Sequence, residues 1–176
     1  MAARVEALAD ALRRDASHPA GSARVRGAGS THDDYLPRSP VVGASHPLAV
    51  PMEWEWRDGR MHATAVFGSA YEGPPGYLHG GVVALAFDEL LGMANIASGW
   101  PAMTGLLSVR FRKPTPLHRE VRVEAWTERV DGRRVHAGGR MSVGGVVTAE
   151  AEGLFVRIGP ARAAEYFGPY PPPPGR

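Results

Sequence analysis

The sequence predicts an α+β domain in which one long helix is wrapped by a curved antiparallel sheet, and three observations carry that expectation. Short segments of alternating apolar and polar residues, closed by tight-turn dipeptides, lie on both sides of the chain's middle. Between them runs Leu78–Trp100, an apolar stretch of about twenty residues that is too long for a strand. The resulting order, two strands, a helix and four strands, leaves one sheet to cover the helix.

The chain has 176 residues and a mass of 18.8 kDa, the size of one ordinary domain. Its 44% hydrophobic and 22% charged residues exclude wholesale disorder. Twenty basic residues against 18 acidic give a net charge of +2, too small an excess for a phosphate-binding stripe, so nucleic acid is excluded as a partner. Cysteine is absent, which removes disulfides and thiolate metal sites and fits a cytoplasmic location. Residues 1–17 lack the apolar core of a signal peptide and carry Val5, Leu8 and Leu12 at helical spacing, which predicts a surface helix. Gly and Pro cluster at Ser17–Val50, in Tyr71–Tyr77 and in the tail Gly168–Arg176. They divide the chain into an N-terminal extension over 1–46, a domain over 47–160 and a proline-rich tail over 161–176, with the core between Val50 and Ile158.

Within the domain, Met52–Arg57 and Met61–Phe67 alternate and are joined by Asp58-Gly59, a hairpin signal. Trp54 and Trp56 share one face of the first strand, as core residues do. Further strands are predicted at Thr104–Phe111, Glu120–Val130, Arg133–Val143 and Val146–Ile158; Asp131-Gly132 and Gly144-Gly145 close two hairpins, and the four form a meander. Leu78–Trp100 is apolar on every side, so it should be buried on every side. His79, Asp88, Glu89 and Asn95 argue against a membrane span.

Those polar residues carry the chemistry. An unpaired buried carboxylate is costly, and Asp88 and Glu89 point about 100° apart on a helix. The expectation is that Glu89 turns to an edge and pairs with an arginine while Asp88 faces the interior. Preceding them, His79-Gly80-Gly81 stands where the helix begins. There, unpaired N–H groups meet the positive end of the helix dipole, and glycine lets a ligand approach the backbone. Such an arrangement can stabilise a developing oxyanion. The other histidines, His18, His32, His46, His62, His118 and His136, lack metal-ligand spacing and are read as surface or satisfied residues.

His79-Gly80-Gly81, an acid nine residues after the histidine, and Met103–Leu117 (MTGLLSVRFRKPTPL) together resemble the PaaI-like acyl-CoA thioesterases of the hotdog fold, over about Pro47 to Ile158. The resemblance implies that Asp88 is the catalytic carboxylate, acting as nucleophile or as general base on water. It implies that the Gly80 N–H polarises the thioester carbonyl while His79 shapes the loop, and that Thr104 assists the attacking water. Arg112 and Lys113, the latter being the chain's one lysine, become candidates for the phosphates of coenzyme A. Gly81 and Glu89, beside Gly80 and Asp88, complete the substrate-binding candidates. No metal or cofactor is required.

Gly80 and Asp88 lie about 12 Å apart along one helix axis, whereas a single reacting carbonyl must sit about 3 Å from both donor and attacking group. Two protomers with antiparallel helices resolve this, so a homodimer, or a dimer of dimers, with the site at the protomer interface is expected. Two rival readings remain: a non-catalytic acyl-CoA-binding or regulatory hotdog protein, and a hotdog enoyl-CoA hydratase or dehydratase, which needs a catalytic histidine paired with the acid across the site, a part His79 would fill.

Overall fold

Alternation and turn chemistry become hairpins where the sequence places them. The computed structural model describes residues 25–26, 39–43, 46–50, 52–159 and 162; the expected N-terminal helix and the proline-rich tail fall outside the described residues. The strands are β1 (Val25–Arg26), β2 (Met52–Arg57), β3 (Arg60–Val66), β4 (Met103–Phe111), β5 (Glu120–Asp131), β6 (Arg134–Val143) and β7 (Val146–Val156), with the helix α1 (Gly80–Ala97) between β3 and β4. Asp58 and Gly59 turn at φ 53° and 71°, and Gly144 and Gly145 at 55° and 81°, the left-handed pairs a two-residue hairpin needs. The third hairpin is shifted by one residue: Asp131 still pairs with Arg134, so Gly132-Arg133 makes the turn.

The sheet order is β1-β2-β3-β5-β6-β7-β4. Every pairing is antiparallel except the short parallel contact of β1 with β2. The expected four-strand meander is thus three strands, β5-β6-β7, and β4 closes the far edge by pairing with β7. An 18-residue helix is about 27 Å long and delivers the chain across the sheet, where the outer ladder of β7 is what β4 can join.

Helix α1 begins two residues later and ends three earlier than the apolar run. His79 at its N-terminus is extended (φ −62°, ψ 132°) and caps it. At the other end the Ser98 hydroxyl donates to the Ala94 carbonyl at 2.8 Å, and Gly99 leaves the helix at φ 83°. Phe87, Leu90, Leu91 and Ala94 are fully buried against Val121, Ala125, Val135, Met141 and Ala149 of the sheet. Complete burial of each of the larger side chains contributes roughly 1.5–3 kcal/mol.

Two expectations change. The helix is not buried all round: Gly81 and Leu85 are exposed and Asp88 is half-buried, because the sheet wraps one side of it. The core also reaches beyond Val50 towards the N-terminus, since Val41 and Val42 of the extension are 2% and 3% exposed within the same cluster.

Candidate active site

The helix N-terminus is held by the Tyr71–Leu78 loop. The Gly73 N–H donates to the Tyr77 carbonyl, that of Leu78 to Thr115, and that of His79 to Tyr71, while the Glu72 carboxylate accepts the Gly76 N–H at 2.7 Å. The first turn of a helix has N–H groups without partners in the helix itself. The His79 Nδ1 accepts that of Gly81 at 2.9 Å, and the His79 carbonyl accepts those of Val82 and Val83. The Gly80 N–H is left without a partner among the described residues. A Cβ on Gly81 would crowd the cap, 3.0 Å from His79 Nδ1, and one on Gly80 would lie 3.3 Å from the exposed Phe111 ring, which would have to shift slightly.

Two turns further along, the Thr104 hydroxyl donates to Asp88 Oδ1 at 2.8 Å. A bulge between Thr104 and Leu106 interrupts the β4–β7 ladder beside this threonine. The carboxylate and the threonine that the resemblance singles out are thus hydrogen-bonded to each other within one chain. The opposite end of β4 lies at the other end of the site, with Phe111 against Gly80 and Arg112-Lys113 following at once.

The two adjacent acids exchange the environments expected of them. Glu89, not Asp88, is the more deeply desolvated, and it has no arginine partner among the described residues. Burial pushes its carboxyl above the usual carboxylate range, the Ser39 hydroxyl bonded to it pulls it down, and the Asp88 charge pushes it up. Its Oε1 is buried without a hydrogen-bond partner among the described residues. A carboxyl whose pKa is raised by folding costs stability as pH climbs from the ordinary carboxylate range through its own value, because the unfolded chain releases the proton first. We predict that the Tm of Glu89→Gln minus that of wild type grows as pH is raised from about 4 to about 8. A difference that is flat with pH would refute the assignment.

Arg112 is engaged: its Nε donates to Glu150 Oε2 at 2.6 Å, across β4 and β7. Lys113 has no ion-pair partner among the described residues. Among the histidines, His62 does meet an acid, with Nδ1 3.7 Å from Glu124 Oε1 across β3 and β5. Two features escaped sequence reasoning: the Phe111 ring over Gly80, which strand alternation does not mark, and the seating of Ser39 beside Glu89, fifty residues away in sequence.

A long helix embraced by one antiparallel sheet, with a glycine-rich helix start and a carboxylate in mid-helix, defines the hotdog class. The thioesterase superfamily profile matches residues 75–150. A solved crystal structure of a thioesterase superfamily protein is 35% identical, with a TM-score of 0.69 over 88% of this chain and 79% of that one. The chain belongs to the thioesterase superfamily. It is 32% identical over 95 residues to acyl-coenzyme A thioesterase THEM4 of Xenopus laevis, covering 53% of this chain and 43% of that protein. To THEM4 of Mus musculus it is 31% identical over 93 residues, covering 52% and 40%. The matched stretch thus spans about two fifths of these curated relatives. A hypothetical thioesterase of Streptococcus pneumoniae, solved with coenzyme A, shares the fold with a TM-score of 0.58 at 19% identity, over 61% of this chain and 89% of that one.

Proposed function

We propose that the chain hydrolyses the thioester of an acyl-CoA to free acid and coenzyme A, at sites shared by two protomers. The observation that carries this reading is the pairing of Asp88 with Thr104 on one flank of α1, while the Gly80 N–H stands open about 12 Å away along the helix axis. The Thr104 hydroxyl occupies Asp88 Oδ1, leaving the carboxylate's other oxygen for chemistry. As general base, that oxygen takes a proton from water while the water oxygen bonds to the thioester carbon. The carbonyl oxygen becomes an oxyanion at the Gly80 N–H, then the C–S bond breaks, and the proton passes to the departing thiolate. As nucleophile, the same oxygen would instead bond to the thioester carbon and expel the coenzyme A thiolate, leaving an anhydride that water then hydrolyses to the free acid and the Asp88 carboxylate, with a proton from that water ending on the thiolate.

Strand β4 supports a shared site. It is an edge strand with Met103, Leu106 and Phe111 47%, 62% and 56% exposed, the kind of edge a partner strand covers. Antiparallel pairing of two such edges sets the Thr104 end of one beside the Phe111 end of the other. Asp88 and Thr104 of one chain then face Gly80 and Lys113 of its partner. The hydratase reading is weakened, since His79 spends Nδ1 on capping the helix. The bound coenzyme A of the Streptococcus pneumoniae neighbour, and the acetyl-CoA of one from Streptococcus mutans, support the choice of substrate class.

The test is thiol release from a panel of acyl-CoAs, followed with a thiol reagent. Release supports hydrolysis; tight binding without release, or addition of water to an enoyl-CoA, would replace it with one of the two rivals. Phosphate recognition is tested alongside. With Arg112 held by Glu150, Lys113 becomes the better phosphate candidate, so Lys113→Ala should raise KM about tenfold with a smaller fall in kcat, as loss of uniform binding does. An acyl-pantetheine hydrolysed as efficiently as the CoA ester would remove that role.

A further inference from the structure

On the flank of α1 opposite β4, the end of the extension and the residues that follow it border a partly open cavity of about 170 Å3. Val41, Leu48 and Val50 form one wall, and Phe67, Val82 and Leu85 line the opposite side. The polar groups at its edge are already engaged. The Tyr71 hydroxyl donates to the Leu48 carbonyl at 2.9 Å, and His46 Nδ1 accepts the Leu48 N–H at 3.2 Å. An occupant would therefore gain from apolar contact, not from hydrogen bonds.

The wall is fastened at both ends. The Ser39 hydroxyl accepts the N–H groups of Val41 and Val42 at 3.1 and 3.3 Å and bonds to the Glu89 carboxylate, and the Val50 N–H donates to the Val41 carbonyl at 3.1 Å. Glu89 follows Asp88 directly, and Leu85 precedes Asp88 by three residues, so the Cβ atoms of Leu85 on the cavity's rim and of Asp88 are about 5–6 Å apart. Leu85 is 38% exposed, which opens the rim.

We infer that this cavity receives the acyl group, and that the wall carrying Val41, Leu48 and Val50, together with Leu85, sets its length. The inference rests on the thioesterase reading for the identity of the occupant. A dry apolar cavity of about 150 Å3 holds a six-carbon ring, so one of 170 Å3 takes an aliphatic chain of about six carbons. Chains up to that length should gain about fourfold in affinity per methylene and longer ones should gain no more. Glu89 and Ser39 are positioning residues here, holding the wall beside Asp88. The acyl group then lies on the protomer that supplies Asp88, and the coenzyme A phosphates lie by Lys113 of the partner.

The experiment uses S-alkyl-CoA thioethers of about two to ten carbons, which cannot be hydrolysed, with calorimetric dissociation constants measured on the full chain. Wild type should tighten about fourfold per carbon to about six and then level off. Leu85→Trp and Leu48→Trp, at positions 38% and 60% exposed, fill the cavity from the helix and from the wall, and should flatten that dependence. In turnover, the kcat/KM ratio of hexanoyl-CoA to acetyl-CoA should fall at least tenfold in both variants. An unchanged slope in the two folded variants, or no chain-length dependence in wild type, overturns the assignment. The two ideas fail separately. Length-dependent thioether binding without hydrolysis of any acyl-CoA would end the thioesterase reading and keep the cavity; hydrolysis indifferent to length would do the reverse.

Discussion

Asp88→Asn is expected to cut thiol release from acyl-CoA by a factor of about 100 or more, the scale of a lost general base, while the chain stays folded. Asparagine keeps the shape of the side chain and an oxygen able to accept the Thr104 hydroxyl, so the bond at 2.8 Å can persist. It cannot take a proton from water or attack the thioester. Because the change is isosteric and Asp88 is half-buried and not sealed in the core, the variant's Tm should stay close to that of wild type. Thr104→Ser, which keeps a hydroxyl, should retain more activity than Thr104→Val. A folded Asp88→Asn protein that keeps more than a tenth of wild-type kcat, a barrier change under about 1.4 kcal/mol, would end the assignment. Glu89→Gln is the comparison, and should cost far less turnover because that carboxyl faces Ser39 and the wall of the extension.

A second large effect tests whether the site is shared. Gly80→Pro deletes the proposed oxyanion donor at small structural cost. Gly80 is the first residue of α1, where proline is well tolerated, and its N–H has no partner among the described residues to lose. His79 already has the extended backbone that a residue preceding proline prefers, and the exposed Phe111 ring can yield to the added atoms. Each homodimer, Asp88→Asn or Gly80→Pro, should be inactive. In a mixed dimer purified through two tags, one site would join an intact Gly80 to an intact Asp88, and the other would carry both lesions. Activity near half of wild type per dimer is expected. If each chain completed its own site, the mixed dimer would be as inactive as its parents, and the shared mechanism would fall even with both chains shown to be folded by circular dichroism.

The sequence by itself determined those features that depend on near neighbours. Asp58-Gly59 and Gly144-Gly145 can reach the left-handed region, so they turn wherever alternating segments flank them. The apolar run ends as a helix where His79 can cap it and Gly99 can leave it. The catalytic reading of Asp88, Thr104 and the Gly80 N–H came from resemblance and not from periodicity; the hydrogen bond between Asp88 and Thr104 supplies its geometric support.

The tertiary structure decided what depends on residues far apart in the chain. Alternation in Thr104–Phe111 marks a strand but cannot say which ladder it joins, and the span of α1 settles that in favour of β7. Adjacent acids on one helix look alike in sequence. Glu89 loses its water because Ser39 and the segment after it pack on that flank, while Asp88 keeps its exposure beside the edge strand. Arg112 and Lys113 are likewise equivalent as a dipeptide until Glu150 of β7 takes up the arginine. Desolvation and ion pairing are set by what the folded chain brings alongside a group, and a one-dimensional pattern records only what stands next to it.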